Sequence, residues 1–149
     1  MLKENNTIPE IISARFFNYS PEIVFRAWSN PDLLKQWWGP KGFTNTFHGF
    51  EFKTGGRWKF TMHSPDGTDY HNENRFMEIR IPEKIIFEHI EPVHTFKATI
   101  DFEEVGDTTR VAFSMLFTSA DEFEKVKDFI AVANEENFDR LETVLKTIK

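Results

Sequence analysis

The chain has 149 residues, a formal net charge of −6 and no cysteine. This length fits one domain with a substantial core, and the 17 phenylalanines can supply its buried surface. The absence of cysteine excludes disulfides, thiolate metal sites and a cysteine nucleophile. Basic residues are scattered rather than gathered into a stripe, which argues against a nucleic-acid partner.

The amino-terminal residues contain no apolar core of signal-peptide length, and no later run approaches the length of a membrane span. No internal repeat, linker or low-complexity tract divides the sequence. We therefore expect a cytoplasmic protein without membrane insertion, formed by one domain over residues 1–149.

The first part of the chain predicts one strand followed by two short helices. Residues 10–17 are rich in Ile and Phe and predict the strand. Ser20-Pro21-Glu22 then begins a helix, because serine caps free amides, proline suits the first helical position and glutamate meets the positive end of the dipole. Asn30-Pro31-Asp32 repeats this pattern, and Gly39-Pro40 ends the second helix.

From Phe43 the apolar residues recur with a period of two, which predicts an antiparallel meander of about six strands. Turn residues at Asp66-Gly67, Pro82-Glu83-Lys84 and Gly106-Asp107 separate several of these strands. The predicted strands cover residues 43–52, 58–63, 68–81, 85–90, 96–102 and 111–117.

A long amphipathic helix closes the chain. Ser119 and Glu122 form a capping box, and apolar residues follow at spacings of three and four. Residues 134–137, Asn-Glu-Glu-Asn, have low helix propensity and predict a bend or a break. The economical packing is an α+β fold in which the sheet curls around this helix, the two short helices plug one end, and a cavity lies between.

These elements and motifs, in this order, resemble the helix-grip proteins related to START domains and the birch-pollen allergen, the SRPBCC superfamily. The resemblance is to the branch named after the C-terminal domain of the activator of heat-shock protein 90 ATPase. It implies a curved antiparallel sheet of six to seven strands wrapped around a long C-terminal helix, with two short helices after the first strand. The segments that carry it are residues 20–28, Asn30-Pro31, Trp37-Trp38-Gly39-Pro40, Gly55-Gly56-Arg57-Trp58, Asp66-Gly67, Glu78-Ile79 and Asp139-Arg140-Leu141.

One departure from the family pattern falls in the C-terminal helix. Many relatives carry a Gly-Trp pair about a turn before the Asp-Arg-Leu motif, where this chain has Ala133-Asn134. That part of the helix would line the cavity, so a relative's ligand is not carried over. The resemblance therefore defines the architecture better than the activity.

The pairing around Asp66-Gly67 decides what faces the interior, and two registers are open. A two-residue hairpin loop would place three polar side chains on the interior face, where they need each other, water or a ligand as partners. The cross-strand pairs of this register are Met62 with His71, Phe60 with Glu73, and Trp58 with Arg75. A bulge or a longer turn shifts the register by one, sends these groups to solvent and turns Tyr70 and Phe76 inward.

Aromatic residues mark the predicted ligand site. Adjacent residues on a helix point about 100° apart, so one ring of Trp37 and Trp38 can pack inward while the other stays available. Trp58, Phe60 and Met62 share one strand face. The residues predicted to line the cavity are Trp37, Trp38, Trp58, Phe60, Met62, His71, Glu73, Arg75, Phe113, Met115, Phe129 and Ala133.

No cofactor or metal is expected. The five histidines show no His-Glu-x-x-His element, and there is neither a Gly-x-Ser-x-Gly elbow nor a phosphate-binding glycine loop. The leading hypothesis is a non-enzymatic module that binds a small apolar or amphipathic molecule. The alternatives are a chaperone-associated interaction module, and an enzyme such as a cyclase or hydrolase that uses His71 and Glu73 as acid and base.

Overall fold

The computed structural model describes residues 8–91 and 95–148. In chain order, the elements are β1 (Glu10–Phe17), α1 (Pro21–Ser29), α2 (Pro31–Trp37), β2 (Thr44–Phe50), β3 (Arg57–His63), β4 (Asp69–Arg80), β5 (Lys84–Glu91), β6 (Phe96–Val105), β7 (Thr108–Phe117) and α3 (Ala120–Leu145). The strands form one 7-stranded antiparallel sheet in the order β1-β7-β6-β5-β4-β3-β2. The predicted α+β class, with two short helices after the first strand and a long C-terminal helix, is confirmed.

The two short helices begin where their caps predict. The Ser20 side chain accepts a hydrogen bond from the Ile23 amide at 3.4 Å, and Pro21 is the first residue of α1. Asn30 serves both helices: its amide donates to the Arg26 carbonyl at the end of α1, and its side chain accepts from the Asp32 amide at 2.9 Å. A single asparagine therefore ends one helix and starts the next.

Helix α3 continues through residues 134–137, where low propensity predicted a bend or a break. Two asparagines of that segment are buried and make tertiary hydrogen bonds. Asn134 Nδ2 donates to Ser13 Oγ at 3.3 Å, and Asn137 Oδ1 accepts from the Gly39 amide at 2.7 Å. These bonds offset the low propensity, so the residues that seemed to weaken the helix attach it to the rest of the fold.

The β3–β4 hairpin has a three-residue turn rather than a two-residue one. The Ser64 amide donates to the Thr68 carbonyl at 2.8 Å, which leaves Pro65, Asp66 and Gly67 as the loop. Gly67 has φ +90°, the left-handed conformation that ends this type of loop. The longer turn shifts the register by one residue, as the second alternative predicted.

This register corrects the predicted interior polar group. His71 pairs with Thr61, Glu73 with Lys59 and Arg75 with Arg57, on the face of the sheet opposite Trp58 and Phe60. Phe76 is buried as the shifted register predicts, whereas Tyr70 pairs with Met62 and is 47% exposed. We call the Trp58 side of the sheet the inner face and the His71 side the outer face.

The core lies between the inner face, α3 and the two short helices. Trp28 of α1 contacts the rings of Trp37 and Trp38 and reaches Phe113 on β7, which places α1 and α2 over one end of the sheet. β-Bulges interrupt β2 between Phe47 and Gly49 and β4 in two places, and such bulges bend a strand. The largest fully buried side chains are Trp37, Trp58, Phe17, Phe87, Phe138, Leu34, Ile85, Ile100, Leu141, Leu145, Val24 and Val111.

Gly39 should tolerate a side chain poorly. It has φ +103°, and a Cβ there would lie 2.8 Å from Met62 Cε. We expect Gly39→Ala to lower the free energy of unfolding by about 1–3 kcal/mol, because a left-handed backbone strains any residue with a Cβ. Urea denaturation would measure this change. In the matched control, Gly49→Ala, the added methyl meets nothing within 4 Å, and equal losses in the two variants would contradict the prediction.

Candidate functional site

The inner face brings most of the predicted lining residues together. Trp58 lies 4.7 Å from Phe60 and 5.1 Å from Trp38, measured between ring centroids. The Trp38 ring also lies 6.0 Å from Phe113, which places Met115 two residues further along the same strand face. Rings from the residue after α2, from β3 and from β7 thus form one continuous aromatic surface, and Met62 is partly buried beside it.

The middle of α3 presents small and polar side chains to this surface. Ala133 is buried, and Asn134 Nδ2 lies 3.6 Å from Met115 Sδ as well as bonding Ser13. Phe129, predicted as a lining residue, is 66% exposed and does not join the interior. Of the two lining residues predicted on this helix, Ala133 is therefore buried and Phe129 is not.

Side chains of helix α3 hold the turn after α2 through hydrogen bonds to its backbone. Arg140 Nη1 donates to the carbonyls of Gly39 and Pro40, both at 2.9 Å, and Nη2 donates to the Gln36 carbonyl at 3.0 Å. Asn137 accepts from the Gly39 amide in the same turn. Burial lowers the pKa of Arg140. We call this set of bonds the α3 clamp.

The adjacent tryptophans have different roles. Trp37 is fully buried, and its Nε1 donates to the Ala27 carbonyl at 3.1 Å, which makes it part of the helix packing. Trp38 follows the last residue of α2, and its carbonyl accepts from Asn45 Nδ2 at 2.6 Å. Its ring enters the aromatic surface, so only Trp38 of this pair faces the candidate site.

A second attachment joins α3 to the edge strand β1. Arg15 Nη2 bonds Glu135 and Nη1 bonds Asp139, each at 2.8 Å. Burial acts to lower the pKa of Arg15, but the hydrogen bonds that it donates to the two carboxylates, together with their negative charges, outweigh burial and raise the pKa. The ion pairs therefore hold the helix over the β1 side of the sheet.

The inner face also holds a buried polar pair that the sequence analysis did not predict. Asn74 Oδ1 lies 2.8 Å from His89 Nδ1, and the His89 ring stacks on Phe96 at 4.9 Å. Asn74 is also the cross-strand partner of Trp58. The alternation of Ile85, Phe87 and His89 was the available signal, and the position of Asn74 required the shifted register.

The predicted polar site residues instead take part in an outer-face network. His71 Nδ1 and His48 Nε2 lie 2.8 and 2.7 Å from the hydroxyl oxygen of Thr61. Glu73 pairs with Arg57, and Arg75 bonds Glu88 at 2.8 Å. His71 and Glu73 therefore have different partners and do not form an acid–base pair in the interior.

Within residues 8–91 and 95–148, no group of three or more His, Asp or Glu side chains is placed to hold a metal ion. No helix in this part of the chain is long and apolar enough to cross a membrane.

An antiparallel sheet with a long C-terminal helix on its inner face and two short helices after the first strand defines a helix-grip protein. Residues 18–146 match the family model described as Activator of Hsp90 ATPase homolog 1-like protein. The chain belongs to this family. The fold and branch predicted from the motifs are thereby confirmed.

Solved structures from several bacteria have the same fold. An NMR structure of an Arthrobacter aurescens protein has a TM-score of 0.88 at 24% identity, over 98% of this chain and 91% of that one. A crystal structure of a Nitrosomonas europaea protein has a TM-score of 0.85 at 20% identity, over 94% of this chain and 96% of that one. A crystal structure of a Mycobacterium smegmatis protein has a TM-score of 0.84 at 17% identity, over 99% of this chain and 96% of that one. A search of curated proteins gave no match.

The α3 clamp should depend on the forked guanidinium of Arg140. We expect Arg140→Lys to lower the free energy of unfolding by about 2 kcal/mol, because an ammonium cannot reach several diverging carbonyls at once. Thermal and urea unfolding would measure it. The matched control is Arg80→Lys, which changes an exposed ion pair with Glu78 and should leave Tm unchanged. Equal Tm values for the two variants would contradict the predicted contribution of the α3 clamp to stability.

Proposed function

We propose that the protein binds a small, largely apolar or amphipathic molecule between the inner face of the sheet and α3. The observations that support this most are the aromatic surface of Trp38, Trp58 and Phe60 and the burial of the small Ala133 and the polar Asn134 on α3. Rigid rings offer a large apolar contact area, and a few polar groups orient the bound molecule. We place this function in the cytoplasm, since a chain without cysteine fits a reducing compartment.

The positions of the ring contacts support this choice of location. In the described ranges, aromatic rings of α3 meet rings of the sheet through Phe123 with Phe117 and Phe138 with Phe17. Between these contacts, the helix presents Ala133 and Asn134 to the interior. A ligand at this position would meet aromatic rings from the sheet and a small side chain from the helix.

Enlarging Ala133 should weaken ligand binding. We expect Ala133→Leu to reduce the affinity for a hydrophobic ligand by about tenfold, because added methyl groups compete for the same volume. Tryptophan fluorescence titration would measure the affinity, with ligands first selected from lipids and aromatic metabolites by thermal shift. The matched control is Phe129→Ala, which changes an exposed residue of the same helix. The proposal would be abandoned if no compound in the set raised Tm.

Changes on the outer face should not affect binding. His71→Ala and Glu73→Gln should each leave the ligand affinity within about twofold of the wild-type value, because neither side chain lies on the inner face. The same fluorescence titration measures both variants. A large loss in either one would restore the hypothesis of a polar site, or of an enzyme, that uses these residues.

A second candidate function follows from the family match over residues 18–146. We propose it as binding to an Hsp90-type chaperone, with a change in the chaperone's ATPase rate as the expected effect. Purified chaperone from the same host, assayed with increasing amounts of this protein, tests it directly. An unchanged rate and no complex in size-exclusion chromatography would leave ligand binding as the better proposal.

A further inference from the structure

A hydroxyl, an imidazole and a carboxylate form one hydrogen-bonded row on the outer face, across β2, β3 and β4. His63 Nδ1 lies 2.8 Å from Asp69 Oδ1, and His63 Nε2 lies 2.7 Å from Thr46 Oγ1. The proposed binding site lies on the inner face, so these three groups are outside it. A hydroxyl bonded to a base that a third group orients is the usual arrangement of an activated nucleophile.

The register of the β3–β4 hairpin brings these groups together. His63 is the last residue of β3 and the direct cross-strand partner of Asp69, the first residue of β4. Thr46 of β2 lies diagonally across, because Thr44 is the partner of His63 and Thr46 is two residues further along the same face. A two-residue hairpin loop would have paired His63 with Tyr70 and separated the row.

The hydrogen bonds define the direction in which a proton can move. An ionised carboxylate only accepts hydrogen bonds, so Asp69 requires the proton of His63 to be on Nδ1. The neutral ring then has its lone pair on Nε2, and the Thr46 hydroxyl donates to it. This is the tautomer that a general base needs in order to take a proton from a hydroxyl. Asp69 is therefore a positioning residue for His63.

A neighbouring row on the same face lacks two of these properties. The Thr61 hydroxyl oxygen lies between His48 Nε2 and His71 Nδ1, but Thr61 is only 3% exposed. Neither ring has a carboxylate partner among the described residues. Thr46, in contrast, is exposed, and so is 36% of the His63 side chain. A substrate can therefore reach the Thr46 hydroxyl but not that of Thr61.

We propose that Thr46, His63 and Asp69 form an acyl-transfer site whose substrates are small, activated acyl esters. Thr46 Oγ1 attacks the carbonyl carbon of the ester while its proton passes to His63 Nε2. The bond from that carbon to the alcohol oxygen breaks, and the alcohol leaves with the proton. Water then attacks the acyl-threonine with His63 again as the base, and the carboxylic acid leaves as Thr46 regains its proton. The sum is hydrolysis of one ester by one water to one acid and one alcohol.

The position of Thr46 on the last strand of the sheet supports this substrate class. Every second amide along β2 faces an edge with no strand partner in the described ranges, so either the Thr46 amide or those of both its neighbours point there. Such an amide can donate to the carbonyl oxygen on which negative charge develops. Because Thr46 is exposed, it offers little surface to a long acyl chain, and a small acyl group on a good leaving group fits best.

The test uses p-nitrophenyl acetate, which combines a small acyl group with a good leaving group. Absorbance follows the release of nitrophenolate, and mass spectrometry of acid-quenched protein locates the acetyl group. The relevant rate is the excess over Thr46→Val, which retains any reaction at surface lysines. We expect acetyl-Thr46 in the wild type, an excess that survives in Thr46→Ser, and an excess about a hundredfold lower in His63→Gln, the usual size of a general-base effect.

Asp69→Asn tests the positioning role. It should lower the excess rate by about tenfold or more, because the wrong tautomer of His63 leaves no acceptor for the Thr46 hydroxyl. Nitrogen-15 NMR should show that His63 no longer keeps its proton on Nδ1, a change that mere loosening of the hairpin would not produce. The matched control is His71→Gln, which removes another imidazole from the same face and should leave the rate unchanged.

Two results would overturn the acyl-transfer site. One is acetylation confined to lysine and histidine side chains, and the other is an unchanged reaction at Thr46 in His63→Gln. Neither result bears on binding between the inner face and α3, which the Ala133→Leu variant tests separately.

Discussion

The hydrogen bonds between α3 and the turn after α2 are the interaction on which the site depends. Asn137 and Gly39 are 98 positions apart in the sequence, and their bond joins the C-terminal helix to the first part of the chain. Arg140 donates to backbone carbonyls, which are present whatever side chains the turn carries. The clamp therefore fixes the path of the chain, and the path fixes where the Trp38 ring enters the interior.

Polar contacts on two sides attach the helix in addition to its buried apolar residues. Arg15 holds it to β1 through Glu135 and Asp139, and Arg140 holds it to the turn. Since these contacts position α3, its middle does not need large apolar side chains to stay on the sheet. The buried position 133 can thus hold a small alanine without the helix losing its place.

The kinds of elements and their order could be predicted because their signals are local. Asn30 caps a helix through a neighbour two residues away, and the alternation of apolar residues marks each strand within its own length. The register of β3 and β4 was harder to predict from the sequence, because a change of one residue in the length of the loop shifts it. The bond between Ser64 and Thr68 decides it, and a shift of one residue exchanges the two faces of the strand.

The same shift determines which polar groups can contact a ligand. It sends Glu73 to Arg57 on the outer face and brings Asn74 inward, where His89 satisfies it. A satisfied buried pair maintains the shape of the interior, whereas the indole donors of Trp28 and Trp58 have no acceptor among the described residues. Residue type alone does not distinguish partnered from unpartnered buried groups, since Trp37 has an acceptor and Trp28 does not. The difference depends on whether an acceptor lies within reach, and only the folded geometry decides that.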